Sequence, residues 1–453
     1  MRKIFVTVLF AVLLIAGVGT MLGITPRYVL AAPSVATGIG AKLLCSARYV
    51  SEFSEQQAFE DLVQYSPILQ YLNVGYDDAN RAVTASFFGL NTTTARYMPG
   101  LGCANEFEQV HGRDEFMPHQ PARLASHWPH GNRVETTSAP LQILLEDILA
   151  QDNQLGLNTR ALLLVHEGKI VAEAYGQGSG PNTPLLGWSM AKSLMSVMLG
   201  NLVLRGRLDP QHTPLFSEWE GDGRRDIRLQ DLLHMSDGLA FSEQYNPGDD
   251  ATAMLFTAPS AAAYALAKPL NHPPGTHFNY SSGTANLLSK LYFEHTGGTL
   301  QSAYDDYVEN IFIPLSFQDA VFETDASGVF VASSYFYASA RDWARLGQLM
   351  LNGGEINGRR IVSKDWVMHS SAANDTENNK AYGYQWWLND GGPTLRWSEL
   401  PKDSYAAQGN RQQYLMVVPS MQAVIVRLGW TSGNYPVNEQ FARILSAVAT
   451  SEQ

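Results

Sequence analysis

Basic residues are scarce in this chain. It carries 31 Lys and Arg against 43 Asp and Glu in 453 residues, a formal net charge of −12, and nowhere do the cations gather into a cluster. That excludes a nucleic-acid backbone and an anionic lipid surface as main partners, because both call for concentrated positive charge. The acids are spread out as well, so the balance concerns solubility and not a particular substrate. Metal-site patterns are missing: there is no His-Glu-x-x-His and no cysteine pair at zinc spacing. No metal and no organic cofactor is therefore expected. Internal repeats and low-complexity tracts are absent too, which sets solenoid architectures aside. There are two cysteines, Cys45 and Cys103, enough for one bridge and no more.

What is present begins with the N-terminus. Arg2 and Lys3 precede an uncharged apolar stretch from Ile4 to Ile24. Small residues suited to cleavage follow at Val29-Leu30-Ala31, yet the run is also long enough to span a bilayer. A cleaved signal and a retained membrane anchor over 1–26 both stay open, the length of the run favouring the anchor. Either places the rest of the chain outside the cytoplasm, as a periplasmic or membrane-anchored protein. An even cysteine count in an exported chain predicts a Cys45–Cys103 disulfide that pins the N-terminal region. The composition, 45% hydrophobic and 16% charged, suffices for a large core and two or three structural units.

Along the chain, 27–135 reads as an N-terminal region. Asn80–Phe88 has part of a strand pattern, and His111–Asn132, poor in apolar runs, reads as an irregular linker. The second region, 136–453, opens with an amphipathic helix over Leu141–Leu155. Arg160–Val165, a turn at His166–Lys169 and Ile170–Tyr175 form a hairpin. A second hairpin joins Gln413–Val418 to Ala423–Leu428, before a last helix over Asn438–Ala449. Two distant hairpins with helical patterns between them predict an α/β (α+β) fold: one antiparallel sheet built from both chain ends, flanked by helices, with a mainly helical lobe against it. Clefts favour such junctions.

The most informative stretch is Gly187-Trp188-Ser189-Met190-Ala191-Lys192. Apolar residues follow almost without interruption through Val203, the mark of a core helix. Three residues apart, Ser189 and Lys192 share one helix face. Burial and the positive end of the helix dipole both disfavour an ammonium, pushing Lys192 towards the neutral amine that takes the Ser189 proton. The Ser189 N–H at the helix start suits an oxyanion donor. Pro273–Leu288 delivers Tyr280 to a Ser/Gly-rich bend containing Ser282, where a tyrosine can relay protons. Ala406-Ala407-Gln408-Gly409-Asn410 opens the C-terminal hairpin with a small edge, so that the Asn410 N–H can be the second oxyanion donor. Ser-His-Asp catalysis fits less well: Ala191 replaces the second glycine of a nucleophile elbow, and no histidine lies in an obvious catalytic turn.

Taken in order, Ser189-x-x-Lys192, Tyr280-Ser281-Ser282-Gly283 and the Gly409-bearing edge resemble the penicillin-recognising serine hydrolases, the class C β-lactamase-like family. Leu232-Leu233 to Leu239, Tyr337 to Gly347 and Tyr382-Gly383-Tyr384-Gln385-Trp386-Trp387 extend the resemblance over roughly Leu141–Ala449. It is nearest to the branch related to 6-aminohexanoate-dimer hydrolase. The resemblance implies a β-lactamase/transpeptidase-like fold, with Ser189 as nucleophile, Lys192 as base and Tyr280 as proton shuttle. It implies N–H donors at Ser189 and Asn410, and a substrate pocket at Trp188, Ser282, Gln408, Gly409, Tyr384 and Trp386. The expected partner is a small amide or ester, cleaved through an acyl-serine. A β-lactamase or D-alanyl-D-alanine carboxypeptidase is the alternative. It is weakened because Ser282 stands where those enzymes carry Asn, and Ala407 where they carry a basic residue. A catalytically silent binding module of the same fold is a minor alternative.

Overall fold

The computed structural model describes residues 25–451 apart from 109, 111, 112, 114, 115, 120–122, 135–137 and 177. The apolar run Ile4–Ile24, on which the leader reading rests, lies outside them.

The first helix, α1 (Pro26–Tyr49), starts where the Thr25 hydroxyl accepts the Tyr28 N–H at 3.1 Å, with a proline at its first position. It is long and apolar enough to cross a membrane, but two-thirds of its most apolar stretch is buried inside the protein. It is packed here as a core helix, and the cleavage-like Val29-Leu30-Ala31 lies within its first turns. It is followed by α2 (Glu55–Tyr65), capped by the Ser54 hydroxyl. A four-stranded antiparallel sheet then runs in chain order through β1 (Leu72–Asp77), β2 (Ala82–Phe87), β3 (Asn91–Met98) and β4 (Gly102–Asn105). α1 lies across this sheet so closely that a Cβ on Gly40 would sit 2.5 Å from Leu72. Cys45 and Cys103 are joined, Cα atoms 6.0 Å apart, tying α1 to β4. Beside the bridge, Lys42 is ion-paired with Glu323, and both are fully buried. Glu323 also accepts from the Ser46 hydroxyl (2.8 Å) and the Cys103 N–H (2.7 Å), so that its charge is satisfied on several sides.

After α3 (Ala139–Gln154), the hairpin β5 (Thr159–His166) and β6 (Lys169–Tyr175) joins a sheet whose other strands come from the far end of the chain. These are β7 (Trp387–Leu388), β8 (Tyr405–Gly409), β9 (Gln413–Val418) and β10 (Ala423–Gly429). The order is β7-β8-β9-β10-β5-β6, antiparallel throughout, as two distant hairpins predicted. Strand alternation divides the side chains between two cores. Leu162, Leu164, Met416 and Ile425 face one packed with α3 and the last helix, α7 (Val437–Ser451). Leu163, Val165, Leu415 and Val424 face the larger one. That larger core also holds α4 (Ala191–Leu204), α5 (Ser282–His295), α6 (Ala340–Leu351) and the apolar side of α1, so the N-terminal region and the second region share it.

Among the described residues of His111–Asn132 there is no helix or strand beyond an isolated bridge at His127, and the later part is fastened to its surroundings. The buried Arg345 of α6 donates to the Pro129 carbonyl (2.8 Å), the Gly131 carbonyl (2.5 Å) and the Asn132 side chain (2.8 Å). Trp128 is buried and Arg123 pairs with Asp319. The part of this segment from Pro129 to Asn132 forms a strap across α6, because buried arginine donors need acceptors and its carbonyls and the Asn132 side chain supply them.

Candidate active site

Ser189 lies in a 3-10 turn, Trp188–Met190, that runs directly into α4. The helix is buried on every side: Met190, Leu194, Met195, Met198 and Leu202 have no exposed surface. Ser189 itself is partly exposed. Trp188 takes a left-handed backbone, φ 49°, an outlier for a bulky side chain. Its ring is held by Tyr65 from α2, nearly parallel at 5.8 Å, and by Tyr335 and Trp430. A chain that turns this sharply before a helix lifts the next side chain, Ser189, out of the core.

Lys192 is 1% exposed, and its Nζ has three neighbours: Ser189 Oγ at 2.9 Å, Ser333 O at 2.9 Å and Ser282 Oγ at 3.3 Å. The Ser282 hydroxyl donates to Glu243 Oε1 at 2.6 Å, and the Ser282 N–H donates to Glu243 Oε2 at 2.6 Å. With its proton committed to Glu243, Ser282 can only accept from Lys192. A neutral amine has two N–H bonds and one lone pair. The Ser333 carbonyl and the Ser282 hydroxyl take the two N–H bonds, which leaves the lone pair facing Ser189 Oγ. Burial lowers the Lys192 pKa to about 8, with the Glu243 carboxylate acting against it. Ser333 is held in turn by Asn286 of α5, whose Nδ2 donates to Ser333 Oγ at 3.1 Å.

Tyr280 lies beside this group, with Lys192 Nζ 4.8 Å from its ring centroid. Its ring stacks on Trp387 at 5.1 Å and meets Tyr382 edge-on at 6.0 Å. Burial pushes the phenol pKa far above its ordinary value, the Glu243 charge adds to this, and a hydrogen bond with Ser189 opposes it. Tyr280 is therefore a neutral phenol near pH 7, able to pass a proton but not to serve as the resting base. Of the two groups near the serine, only Lys192 changes charge close to physiological pH.

Gly409 ends β8 against the turn that carries Ser189. A Cβ there would lie 2.1 Å from Gly187 O and 3.2 Å from Ser189 N, so a side chain cannot be fitted without displacement. Asn410, the next residue, is exposed. Gln408 is partly exposed and donates from Nε2 to the Tyr414 hydroxyl at 2.9 Å. Two residues expected in the pocket are buried. Tyr384 packs between Trp366 and His369, with His234 4.8 Å from its ring. Trp386 has no exposed surface and meets Tyr405 edge-on within the core. An apolar ring gains more by leaving water altogether than by lining an open cleft. The aromatic residues that do flank Tyr280 are Tyr382 and Trp387. Of the motif histidines, His277 stacks on His272 at 4.1 Å.

Glu243, Ser333, Tyr65 and Arg411 were not singled out from the sequence. Glu243 carries no motif of its own, although it lies shortly after the Leu232–Leu239 segment. Arg411 follows Asn410 with φ 59°, donates to the Tyr65 carbonyl at 2.9 Å and covers the Tyr65 ring at 4.8 Å. The N-terminal region thus reaches the rim of the site.

Comparison with known proteins agrees with this architecture. A 6-aminohexanoate-dimer hydrolase from Paenarthrobacter ureafaciens is 27% identical over 285 residues, covering 60% of this chain and 72% of its own. A D-amino acid amidase from Ochrobactrum anthropi SV3 superposes with a TM-score of 0.54 at 17% identity, over 70% of this chain and all of that one. A class C β-lactamase superposes with a TM-score of 0.52 at 14% identity, over 70% and 97% of the two chains. At such identities the two structures speak for the fold alone. The family model described as Beta-lactamase matches residues 145–449, well over half of the sequence, and the chain accordingly belongs to the beta-lactamase family of serine hydrolases.

Proposed function

We propose that this chain is an exported amidase or esterase that cleaves a small linear amide or ester through an acyl-serine at Ser189. The observation that carries the reading is the placing of Lys192 Nζ 2.9 Å from Ser189 Oγ with Ser333 O and Ser282 Oγ as its other partners, so that the neutral amine turns its lone pair to the Ser189 hydroxyl. As Ser189 Oγ attacks the substrate carbonyl carbon, its proton passes to Lys192 Nζ. The N–H groups of Ser189 and Asn410 receive the developing oxyanion, each donor contributing about 3 kcal/mol in comparable sites. When the tetrahedral centre collapses, the bond to the leaving group breaks and the proton reaches that group through Tyr280. Water then attacks the ester carbon and gives its proton to Lys192; as the Oγ–carbon bond breaks to release the acid, Lys192 returns that proton to Ser189 Oγ. No step calls for a metal or an organic cofactor.

The 6-aminohexanoate-dimer hydrolase relative favours a linear amide, and simple ester cleavage follows from the same chemistry. Hydrolysis of β-lactams is the second reading, supported by the family and weakened by Ser282 and Ala407 at the positions noted above. The apolar run Ile4–Ile24 and the Cys45–Cys103 bridge support export, with 1–26 as leader or anchor. Fluorophosphonate labelling with peptide mapping tests the proposal: the label should appear on Ser189 and vanish in Ser189→Ala. Labelling elsewhere, or none on folded protein, would refute it. Rates on a nitrophenyl ester, a linear amide and a chromogenic cephalosporin order the substrates. A rate on the cephalosporin far above the others would overturn the preference for simple amides and esters.

A further inference from the structure

One end of the N-terminal sheet is almost free of charge. The ranges 28–41, 62–76 and 82–95 contain no Asp, Glu, Lys or Arg, in a chain that is 16% charged. The fold gathers parts of all three at the same end. The last turn of α1 lies at the β1–β2 turn, where the Tyr49 hydroxyl donates to Asp78 at 2.9 Å and Arg48 pairs with Asp78 at 3.5 Å. About three turns earlier, Thr37 lies at the start of β3. Its hydroxyl is 2.9 Å from that of Thr93 and accepts from Asn91 Nδ2 at 2.8 Å. The N-terminal half of α1 therefore points towards the β2–β3 turn, and the charged end of the sheet is the opposite one.

Apolar side chains cover the uncharged end. Ile68, Tyr71, Phe88 and Leu90 are between 50% and 71% exposed. Ile68 and Tyr71 lie three apart in a 3-10 turn, Pro67–Tyr71, and so share a face. The Tyr71 ring meets that of Phe88 at 6.0 Å. Leu30, also exposed, lies two turns before Thr37 on the same side of α1. Phe88 is out of place by the rules of turns. The turn Phe87–Leu90 is closed by the Leu90 N–H to Phe87 O at 2.9 Å, and both central residues are left-handed, Phe88 at φ 48° and Gly89 at φ 70°. Asn, Asp or Gly suits the first of these positions, and a bulky side chain there is costly. The Phe88 ring touches Phe87 and Tyr71 but stays largely in water, so packing within the chain does not offset that cost. α1 begins at the point where the uncharged apolar run Ile4–Ile24 ends, and that run has the length that spans a bilayer, about 20 residues. Arg27 is the single charged residue between Lys3 and Lys42. The net charge of −12 disfavours an anionic lipid surface, whereas exposed apolar and aromatic side chains without charge suit a zwitterionic one.

We propose that this end of the molecule rests on a zwitterionic lipid bilayer, with Ile68, Tyr71, Phe88 and Leu90 entering its interfacial layer beside the apolar run. The test uses the full chain in phosphatidylcholine vesicles, with an environment-sensitive fluorophore attached in Leu90→Cys and, as a control at the opposite end of the sheet, in Asp78→Cys. Cys45 and Cys103 are bridged and buried and do not compete for the label. Brominated phosphatidylcholine should quench the label at position 90 and spare the one at 78. Iodide on both sides of the membrane should do the reverse. In Phe88→Asn, which fits the turn better, quenching at position 90 by brominated lipid should fall about twofold while the melting temperature holds or rises. A label at position 90 that iodide quenches as strongly as the one at 78 would overturn the proposal. So would a label shielded from both quenchers, the mark of a second copy of the chain on this surface, or lipid quenching unchanged in Phe88→Asn. The acyl-serine reading stands or falls separately, by the labelling of Ser189.

Discussion

At the scale of single residues, Lys192 governs the pH behaviour. With a pKa of about 8 it is mostly ammonium at pH 7 and mostly amine at pH 9. Only the amine accepts the Ser189 proton. The value of kcat/KM should therefore rise with pH through about 8 and then level off, as a pH–rate profile on a nitrophenyl ester would show. Lys192→Ala should lower acylation by about 100- to 10,000-fold while the far-UV circular dichroism stays unchanged. Glu243 gives a prediction with a definite sign. Its negative charge holds the Lys192 pKa up, so in Glu243→Gln the rising limb should move to lower pH. The plateau should fall as well, since the Ser282 proton is no longer fixed and the amine is free to turn away from Ser189. A profile that keeps its midpoint would show that Glu243 does not sense the lysine.

At the scale of elements, the parts easiest to read were those with a period. β5 is a short apolar run, β6 alternates, the C-terminal hairpin has a turn at Pro419–Gln422, and α4 is apolar nearly all round; each appears close to its expected limits. The spacing of Ser189 and Lys192 foretold their meeting on one helix face. Ser333 and Glu243 could not be found this way, because their contacts cross 141 and 39 residues of sequence and come from loops without periodicity. The ring partners of Tyr384 and Trp386 are hidden from the sequence for a related reason. Composition shows that a ring will be buried, but not whether it meets a cleft or a neighbouring helix. Two elements converge on the serine turn, and each is testable. Gly409→Ala must push β8 away from Gly187, which should cost about 100-fold in kcat in a protein that still folds. Tyr65→Ala removes the ring that braces Trp188, whereas Tyr65→Phe keeps it. The first should slow acylation and the second should not, measured as single-turnover rates. Equal loss in both would assign the effect to the hydroxyl.

At the scale of the whole molecule, the N-terminal region and the second region share one core. The Cys45–Cys103 bridge closes a loop with a sequence separation of 58, which in the chain-entropy account stabilises by about 4 kcal/mol. Both sulfurs are buried, so reduction should require partial unfolding, and the reduced protein should melt several degrees lower in calorimetry. Loss of activity should accompany this melting, because Tyr65 reaches the rim from the same region.

The strap across α6 bears on how many polypeptides this enzyme requires. Arg345 and its partners hold Pro129–Asn132 to the second region, whereas α1, α2 and the four-stranded sheet adhere through the shared core. If the backbone were cut between residues 107 and 117, the disulfide would stay inside the first fragment and the strap inside the second. Nothing covalent would then join them. Expressed together, the fragments should co-purify as a heterodimer that reacts at Ser189. Expressed alone, each should aggregate, with its half of the core in water. A single gene would thus encode what a cell could equally well supply as two subunits.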